Sequence, residues 1–455
     1  MRTRFSSSAS PMLAVVVALV MVASSASAEW KEKVLYSFQG LPNDGSYPAG
    51  SVVFDQAGNL YGETTDGGAN NCPGIAQCGT VYQLTPPAKK SDPWTENILY
   101  VFKGVNSNDG NTPVGGVIFD QAGNLYGTTA YGGTGNCMLF GSRVGCGTVY
   151  EMTPPKQKGA AWTEIVLHSF QSGKDGYFPW GDLTFDSAGN LYGATQYGGG
   201  YGSCNAPYYQ YCGTVFKLSP PKTKGGKWRE QVLYAFRSGK DGANPNGGLV
   251  LDSTGAIYGT TMWGGSGTKC ENAGCGTAFR LTATTKTSAV WSETILHVFT
   301  GGSDGLGPNG GLVLRFNDVL YGTAGGGGTH SRGLVFELAA TNSGRWTEKP
   351  VYAFDGGSDG DDPSCCLTSD SMGNFYGTAF GGLPGRGTVF ELKPRDGDES
   401  WVFSLNYAFR GSPDAAYPRA GLVFGASGSA YSTTQGGGTS KSCSGGCGTI
   451  FETGP

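Results

Sequence analysis

Residues 162–170 read WTEIVLHSF, and segments built on this pattern occur seven times along the 455-residue chain. Each segment opens with a tryptophan and closes with a phenylalanine, and six of the seven carry a glutamate two residues after the tryptophan. The segments are 30–38, 94–102, 162–170, 228–236, 291–299, 346–354 and 401–409. Alternate positions share one side of the segment, which is the two-residue period of a β-strand. The sequence therefore predicts one strand that recurs seven times.

A repeating unit surrounds each of these strands. Every copy is followed by a D-[GA]-x-x-P segment, a short apolar strand such as GGVIFD, a turn such as D-x-x-G-N, a strand such as LYGTT, a Gly-rich loop and a strand such as GTVYEM. The aspartates that open D-[GA]-x-x-P are Asp44, Asp109, Asp175, Asp241, Asp304, Asp359 and Asp414. Asp, Asn and Gly at the turns favour tight links between antiparallel strands. Each unit thus holds four strands in about 60 residues.

Seven four-stranded units predict an all-β fold, a seven-bladed β-propeller. A single meander cannot bury both of its faces, and radial stacking of seven meanders buries them while protecting the sheet edges. The chain starts with a lone fourth-type strand, residues 30–38, and stops after a third-type strand near Glu452. We expect the N-terminal strand to complete the last blade and close the ring. Blade 1 is then expected over residues 50–102, and blade 7 over residues 420–452 together with 30–38.

Composition excludes several other classes of protein. Glycine accounts for 79 of the 455 residues, well above the usual share of roughly 7%, and this density disfavours long helices. The glycines have no three-residue period, and 38% hydrophobic residues are too many for a disordered chain. The 31 Lys and Arg face 35 Asp and Glu without a basic block. Nucleic acid is therefore not an expected partner.

The first residues have the pattern of a secretory signal peptide. Arg2 and Arg4 precede an apolar run from Met12 to Ala23, and residues 26–28 read ASA, a typical cleavage site. The run is too short to span a bilayer. Residues 1–28 are thus predicted to be removed, which leaves residues 29–455 as one propeller domain without a transmembrane segment. The mature protein is expected to be an exported monomer, either extracellular or periplasmic.

The recurring LYGTT, GG, GTVFEL and W-x-E-x-x-L-Y-x-F motifs extend over essentially the whole mature chain. In these motifs the sequence resembles the bacterial choice-of-anchor tandem repeat GloVer-containing proteins. The resemblance implies an exported, β-propeller-like repeat protein. It implies no established activity, so no catalytic or binding residue can be carried over from the family.

Cysteine usage agrees with export. Ten of the 12 cysteines lie in the loops between second and third strands, where they are expected to form five disulfides within single blades: Cys72–Cys78, Cys137–Cys146, Cys204–Cys212, Cys270–Cys275 and Cys443–Cys447. The alternative, a zinc site, lacks C-x-x-C spacing and nearby histidine, so no metal is predicted. Cys365 and Cys366 replace a Gly-Gly pair of the other repeats. They are interpreted either as a strained vicinal disulfide or as two free thiols.

Binding is expected on one face of the ring, here called the top face, which carries the Gly-rich loops and the D-[GA]-x-x-P segments. A residue that occurs in every blade is expected to serve the fold of the blade. Residues that differ from the repeat are therefore the candidates for function. Off-repeat aromatic side chains concentrate in blades 2 to 4, namely Trp180, Trp263, Tyr131, Tyr177 and Tyr197. Such rings suit stacking on sugars or anchoring of a protein partner. The alternative is that they only pack the loops that carry them.

The leading hypothesis is a non-catalytic protein that recognises extracellular glycan on the top face of blades 2 to 4. A polysaccharide lyase or glycoside hydrolase with an axial pocket is the second hypothesis, and a protein-interaction or structural role is the third. Catalysis would need off-repeat polar residues, for which the candidates are Asp182, Asp361, Asp362, His330 and Arg419. No cofactor is predicted.

Overall fold

The computed structural model of the chain describes residues 30–68, 78–89, 91–157, 159–200, 212–223, 225–267, 269–270, 273–284, 290–315, 318–363, 365–382, 385–395, 397 and 400–454. The predicted signal peptide lies outside the described residues. Seven antiparallel sheets of four or five strands follow one another along the chain. The prediction of an all-β, seven-bladed propeller is confirmed.

Each blade runs from an inner strand at the axis to an outer strand at the rim. In blades 2, 4, 5 and 7 the inner strand is divided into two pieces. The strands of blade 1 are Gly45–Phe54, Leu60–Gly67, Thr80–Thr85 and Thr95–Val101; of blade 2, Gly110–Pro113, Ile118–Phe119, Leu125–Gly132, Thr148–Thr153 and Thr163–Ser169; of blade 3, Tyr177–Phe185, Leu191–Tyr197, Thr214–Ser219 and Arg229–Ala235; of blade 4, Gly242–Pro245, Val250–Leu251, Ile257–Gly264, Thr277–Ala283 and Trp291–Val298.

The remaining blades follow the same order. The strands of blade 5 are Leu306–Pro308, Val313–Arg315, Val319–Gly326, Leu334–Ala340 and Trp346–Ala353; of blade 6, Thr368–Ser369, Phe375–Ala379, Thr388–Pro394 and Trp401–Ala408; of blade 7, Ala415–Pro418, Val423–Phe424, Ala430–Gly437, Thr449–Gly454 and Lys31–Ser37. A small hairpin, Met138–Leu139 with Ser142–Arg143, and one 3₁₀ turn, Val105–Ser107, complete the described elements.

The D-[GA]-x-x-P segment forms the first part of the inner strand in most blades, whereas the sequence pattern suggested that the strand begins after it. In blade 1 the inner strand begins at Gly45, which pairs with Gly67, rather than at residue 50. The carboxylate of Asp44 explains the earlier start, because it accepts hydrogen bonds from the backbone N–H groups of Gln39 and Gly45, both at 2.6 Å. One carboxylate thus fixes both the end of the loop that enters blade 1 and the start of its inner strand.

Neighbouring blades are joined by a backbone hydrogen bond that recurs seven times. Its donor is the N–H of the third residue after each of these aspartates, which has a positive φ in every blade. Its acceptor is a carbonyl that lies just before the third strand of the preceding blade. The seven bonds are Thr112 to Cys78, Phe178 to Cys146, Asn244 to Cys212, Gly307 to Cys275, Asp362 to Arg332, Tyr417 to Arg386 and Tyr47 to Cys447, at 2.7–3.1 Å.

The two ends of the described chain close the ring. Lys31 pairs with Gly454, and the antiparallel register continues to Ser37 opposite Thr449. The hydrogen bond from the Tyr47 N–H to the Cys447 carbonyl, 2.8 Å long, then joins the completed blade 7 to blade 1. The N-terminal strand therefore completes the last blade, as the repeat order predicted.

The core consists of seven similar interfaces between blades. The phenylalanine directly after each outer strand contacts an aromatic ring on the third strand of the next blade, with ring centroids 5.1–5.2 Å apart. The pairs are Phe38–Tyr82, Phe102–Tyr150, Phe170–Phe216, Phe236–Phe279, Phe299–Phe336, Phe354–Phe390 and Phe409–Phe451. All of these rings are almost fully buried. Buried aromatic pairs in tilted or edge-to-face geometry stabilise the fold beyond their area alone.

Around the rim, the recurring residues of the repeat place two acidic side chains together at six of the seven interfaces. The glutamate of W-x-E lies beside the aspartate of a D-[GA]-x-x-P segment, as Glu293 does beside Asp241, and the hydroxyl of Tyr234 in the preceding blade donates to both. Burial and then the neighbouring aspartate raise the pKa of these glutamates. The pKa rises to about 8 for Glu32, Glu96, Glu293 and Glu348 and to about 7 for Glu164 and Glu230.

Among the described residues, the chain forms no helix with the length and apolar character that a membrane crossing requires.

The first prediction concerns ring closure. In a circular permutant that begins at residue 43 and ends with residues 30–40 fused through a short linker to Gly454, the closing strand keeps its pairing because Lys31 already lies opposite Gly454. We expect this permutant to unfold cooperatively, with a melting temperature within a few degrees of the parent by differential scanning calorimetry. The matched control, the same chain without residues 30–40, is expected to lose that transition because the Thr449–Gly454 strand becomes an open edge. A truncated chain that melts like the parent would refute the closure.

The second prediction concerns pH. Glutamate in an unfolded chain titrates near pH 4.3, whereas these six titrate near 7 or 8 in the fold, so the folded state binds more protons between these values. Their contribution to stability is complete below the unfolded pKa and is lost as pH rises through 7 to 8. We therefore expect the melting temperature to fall between pH 6 and pH 9.

Replacing several of these glutamates with glutamine, beginning with Glu164→Gln and Glu230→Gln, should flatten that fall because glutamine cannot ionise. The exposed Asp92→Asn serves as the matched control and should leave the slope unchanged. Equal slopes for the parent and the glutamine variants would contradict the assignment.

Candidate functional site

The seven inner strands converge on a cavity of about 150 Å³ at the ring axis. It is lined by residues from the three positions that follow the proline of D-[GA]-x-x-P, here called positions 1, 2 and 3. Position 1 contributes Ala49, Val114, Trp180, Asn246, Asn309 and Arg419, and position 3 contributes Ser51, Asp182, Gly248, Gly311 and Cys366. Gln435, at the end of the second strand of blade 7, also lines it. We call this space the axial cavity.

Most of its chemistry comes from residues that break the repeat. At position 3, four of the seven blades have glycine, whereas blades 1, 3 and 6 have Ser51, Asp182 and Cys366. At position 1, Trp180 and Arg419 occupy places where neighbouring repeats have small or carboxamide side chains. Because every blade delivers these positions to the same axis, a substitution in one repeat changes the wall of one shared cavity.

Backbone N–H groups of the preceding blade hold the three polar side chains at position 3. The N–H of Gly116 donates to Asp182 Oδ1 at 2.6 Å, and the N–H of Gly421 donates to Ser51 Oγ at 3.2 Å. The N–H of Gly311 likewise donates to the sulfur of Cys366. A Cβ at position 116 would lie 3.0 Å from Asp182 Oδ1 and 2.9 Å from the Ser51 carbonyl. Glycine is therefore required there for the close approach of backbone and side chain.

Asp182 is the carboxylate of the axial cavity. Its burial raises the pKa above the ordinary value, and the hydrogen bond from the Gly116 N–H partly opposes that rise. A carboxyl group whose pKa is raised by burial in a cavity is a recurrent feature of functional sites, although structural networks also produce it.

Behind the cavity wall, a second ring of contacts is present in four blades and interrupted in three. The hydroxyls of Thr260, Thr323, Thr378 and Thr433 donate to the position 2 carbonyl of the next blade at 3.1–3.2 Å. The equivalent residues of blades 1, 2 and 3 are Glu63, Thr128 and Ala194. Within the described residues, Thr128 Oγ1 has no hydrogen-bond partner. The ring of threonine-to-carbonyl hydrogen bonds is thus interrupted in blades 1 to 3 and present in blades 4 to 7.

Glu63 is the residue that sequence reasoning missed. It is fully buried, the hydroxyl of Tyr150 in blade 2 donates to its Oε1, and its Oε2 has no partner among the described residues. Burial raises its pKa well above the ordinary value, and the charge of Asp182 adds to the rise. The signal was visible in the sequence, since residues 60–65 read LYGETT where blade 2 has LYGTTA.

The aromatic candidates fall into separate places. Tyr131, Tyr177 and Tyr197 surround Phe178 in one cluster, with centroid distances of 4.8–5.5 Å. All three tyrosines are half-buried and pack against the core between blades 2 and 3. Trp180, two residues beyond Phe178, lines the axial cavity instead. Trp263 packs against the core between blades 3 and 4 and does not line that cavity.

The polar candidates also separate. Asp182 and Arg419 both line the axial cavity, and the Arg419 guanidinium lies 4.1 Å from the centroid of the Phe380 ring. Asp362 is close enough for the Arg419 charge to oppose the rise in its pKa that burial causes. Asp361 forms an ion pair with Arg332 at 3.3 Å.

His330 is exposed in the blade 5 loop and does not line the axial cavity. The structure therefore brings together two of the five catalytic candidates in one cavity. Over the described part of the chain, no three His, Cys, Asp or Glu side chains gather in a metal-binding arrangement.

The sequence profile of the Gloeobacter/Verrucomicrobia repeat matches residues 135–344 and 267–455. The chain belongs to this repeat family. The match agrees with the resemblance that the motifs indicated and extends over blades 3 to 7 and part of blade 2. No curated protein matches the chain in sequence.

Solved structures similar to this member of the Gloeobacter/Verrucomicrobia repeat family are distant in sequence. An ulvan lyase of polysaccharide lyase family PL25, solved with -[GlcA(1-4)Rha3S]- bound, aligns over 92% of this chain and 95% of its own, with 10% identity and a TM-score of 0.51. PQQ-bound aldose sugar dehydrogenase from Streptomyces coelicolor aligns over 94% and 98%, with 12% identity and a TM-score of 0.42. These likenesses concern the fold alone.

Disulfides in this repeat protein flank the backbone bonds between blades. Cys137–Cys146, Cys270–Cys275 and Cys443–Cys447 are formed, and the carbonyls of Cys146, Cys275 and Cys447 accept three of the seven bonds. Cys78 and Cys212 are also disulfide-bonded, but Cys72 and Cys204 lie outside the described residues. These disulfides thus fix the top-face loops next to the point where the following blade begins.

A third prediction concerns Glu63. Glu63→Thr with Tyr150→Phe restores the residues of most other repeats, so the threonine can donate to the Gly115 carbonyl. The buried carboxyl group, whose Oε2 has no partner among the described residues, is removed together with the hydroxyl that donates to it. We expect the free energy of unfolding in urea to rise by about 1–3 kcal/mol.

Glu63→Thr alone should gain less than the double variant, because the Tyr150 hydroxyl then loses its acceptor. A double variant less stable than the parent would show that the buried carboxyl group supports the fold.

Proposed function

We propose that this protein is an exported glycan-binding propeller and that the axial cavity receives one sugar unit beside Trp180. The observation that carries the proposal is the combination of one indole, two asparagines, one glutamine, Asp182 and Arg419 in the wall of a single cavity. Indole and tyrosine rings offer an apolar face together with a polar handle, which suits the C–H faces and hydroxyls of sugars.

The carboxamides support a sugar over other ligands. The side chains of Asn246, Asn309 and Gln435 each donate and accept hydrogen bonds, as sugar hydroxyls do. A space of about 150 Å³ is comparable with cavities that hold a molecule of the size of benzene, so it would take no more than one sugar ring. Small-molecule sites are usually concave, with a partly apolar wall that carries a small number of polar groups. Arg419 would favour a sugar that carries a carboxylate or sulfate.

Further sugar units would lie on the top face of blades 2 and 3, which is part of the surface of blades 2 to 4 where recognition was predicted. Tyr177 and Phe178 lie on the same inner strand of blade 3 as Trp180, and the Phe178 ring contacts all three tyrosines. The tyrosines are half-buried, so they combine a packing role with an accessible edge. Export is supported by the disulfides, which persist in oxidising compartments, and by the predicted signal peptide.

An enzyme acting on polysaccharide is the second candidate, and one observation favours it. Asp182 lines the cavity with a raised pKa, which suits a general acid or base. The binding role is preferred because Arg419 alone of the other four candidates lines the cavity with Asp182, whereas Asp361 pairs with Arg332 and His330 lies on the blade 5 loop. A protein partner is the third candidate.

The fourth prediction tests the binding role. Residues 29–455 are applied to a glycan array, and dissociation constants are measured for the retained glycans by calorimetry. We expect Trp180→Ala to weaken binding at least tenfold, about 1.4 kcal/mol, because the stacking surface of the cavity is lost. Trp263→Ala is the matched control, since it removes an indole of the same face outside the cavity, and its affinity should stay within twofold of the parent.

Unchanged affinity in Trp180→Ala would refute the cavity as the site. Released reducing ends, or ultraviolet absorbance of unsaturated products, would favour the enzyme, and Asp182→Asn should then stop product formation while retaining binding. An array without any retained glycan would favour a protein partner.

A further inference from the structure

Blade 6 differs from every other blade at positions 2 and 3. The six other blades have glycine or alanine at position 2 and glycine, serine or aspartate at position 3, whereas blade 6 has Cys365 and Cys366. Both cysteines are partly exposed and line the axial cavity. The two sulfurs are 2.9 Å apart, and the Cys365 thiol donates to the sulfur of Cys366. Two adjacent residues that precede the inner strand Thr368–Ser369 thus present two thiols to the same small space.

Within the described part of the chain, these two are the free cysteines. Cys78, Cys137, Cys146, Cys212, Cys270, Cys275, Cys443 and Cys447 are all engaged in disulfides, and Cys365 and Cys366 are free. A compartment that oxidises those cysteines also supplies oxidant to a partly exposed pair. Because the sulfurs already lie 2.9 Å apart, they need to approach by only about 0.9 Å to reach a disulfide bond length near 2.05 Å.

The surroundings leave room for the pair and activate one sulfur. The neighbouring blades have glycine next to it, and a Cβ at position 421 would lie 3.3 Å from Cys366 Cβ. Cys366 receives hydrogen bonds from the Cys365 thiol and from the Gly311 N–H. The shared hydrogen bond lowers the pKa of Cys366 and raises that of Cys365. The thiolate, which is the nucleophile in disulfide exchange, therefore forms first on Cys366.

We propose that Cys365 and Cys366 are a reversible dithiol–disulfide site in the wall of the axial cavity, oxidised by small disulfides. The Cys366 thiolate attacks one sulfur of the disulfide RSSR, forms a mixed disulfide and releases RS⁻. Cys365 then loses its proton and attacks the Cys366 sulfur, which releases the second RS⁻. Two protein thiols become one protein disulfide, and RSSR takes up two electrons and two protons to become two RSH. The site is chemically independent of the proposed glycan.

Oxidation would change the cavity wall. It removes both S–H groups, draws the two sulfurs together and restricts the backbone of Cys365 and Cys366. A disulfide between adjacent residues closes a small, strained ring, so it should be reduced more easily than the loop disulfides. The pair can therefore change state while the loop disulfides remain closed.

The fifth prediction tests this site on the mature chain, residues 29–455. The protein is equilibrated with mixtures of hydroxyethyl disulfide and 2-mercaptoethanol, alkylated with iodoacetamide under denaturing conditions and digested for mass spectrometry. We expect the Cys365–Cys366 peptide to pass from two alkylated thiols to an internal disulfide as the mixture becomes more oxidising. Cys137–Cys146, Cys270–Cys275 and Cys443–Cys447 should remain closed across the same range. Two alkylated thiols in every mixture would overturn the proposal.

Two single variants test the order of attack. Cys365→Ser leaves the attacking sulfur without a resolving thiol, so it should accumulate a mixed disulfide with hydroxyethyl disulfide. Cys366→Ser should form that adduct at least tenfold more slowly. Equal rates, or faster reaction of Cys366→Ser, would overturn the assignment of Cys366 as the nucleophile. Cys365→Gly with Cys366→Gly restores the residues of the other repeats, so it controls for folding and should show no transition.

Discussion

Seven backbone hydrogen bonds between blades are the interaction on which this ring depends. Each requires a residue with positive φ three positions after the conserved aspartate, so that its N–H turns toward the preceding blade. The bond between Tyr47 and Cys447 joins the two ends of the chain. That last bond is possible only because the N-terminal strand has completed blade 7. A repeat that could extend indefinitely is thereby closed into a ring of seven blades, each with short and protected strand edges.

The same arrangement explains where chemistry can arise. Each blade brings three residues after a proline to the axis, and glycine in most blades at positions 2 and 3 lets seven strands meet closely. Any larger or polar residue there must point into a space shared by all blades. Trp180, Asp182, Arg419 and Cys366 come from three different blades and line one cavity for this reason. The scaffold therefore tolerates new side chains at the axis without rebuilding the interfaces, whose Phe pairs lie elsewhere.

The fixed succession of strands and turns in each repeat made much of the fold predictable. The errors of the prediction lie where that succession does not show which residues pair or contact one another. Strand type, blade number and closure follow from the offset between the first segment, residues 30–38, and the last strand. The start of the inner strand was misjudged by several residues, because Asp44 and the proline read as a turn although Gly45 already pairs with Gly67. Glu63 was overlooked because it sits within a strand motif, and its significance depends on Tyr150 of another blade and on the interrupted threonine ring.

The sequence alone determined the architecture, because four strands per repeat, seven repeats and one displaced strand admit a single way to pair every edge. It also marked the residues that depart from the repeat, since each repeat serves as a reference for the others. Only the tertiary structure decided which of those residues meet. Trp180 and Arg419 are more than half the chain apart yet share a cavity, while Trp180 and Trp263 occupy adjacent blades and are separated. The physical reason is that the position of a residue within its blade, and not its distance along the chain, decides whether its side chain reaches the axis or packs between blades.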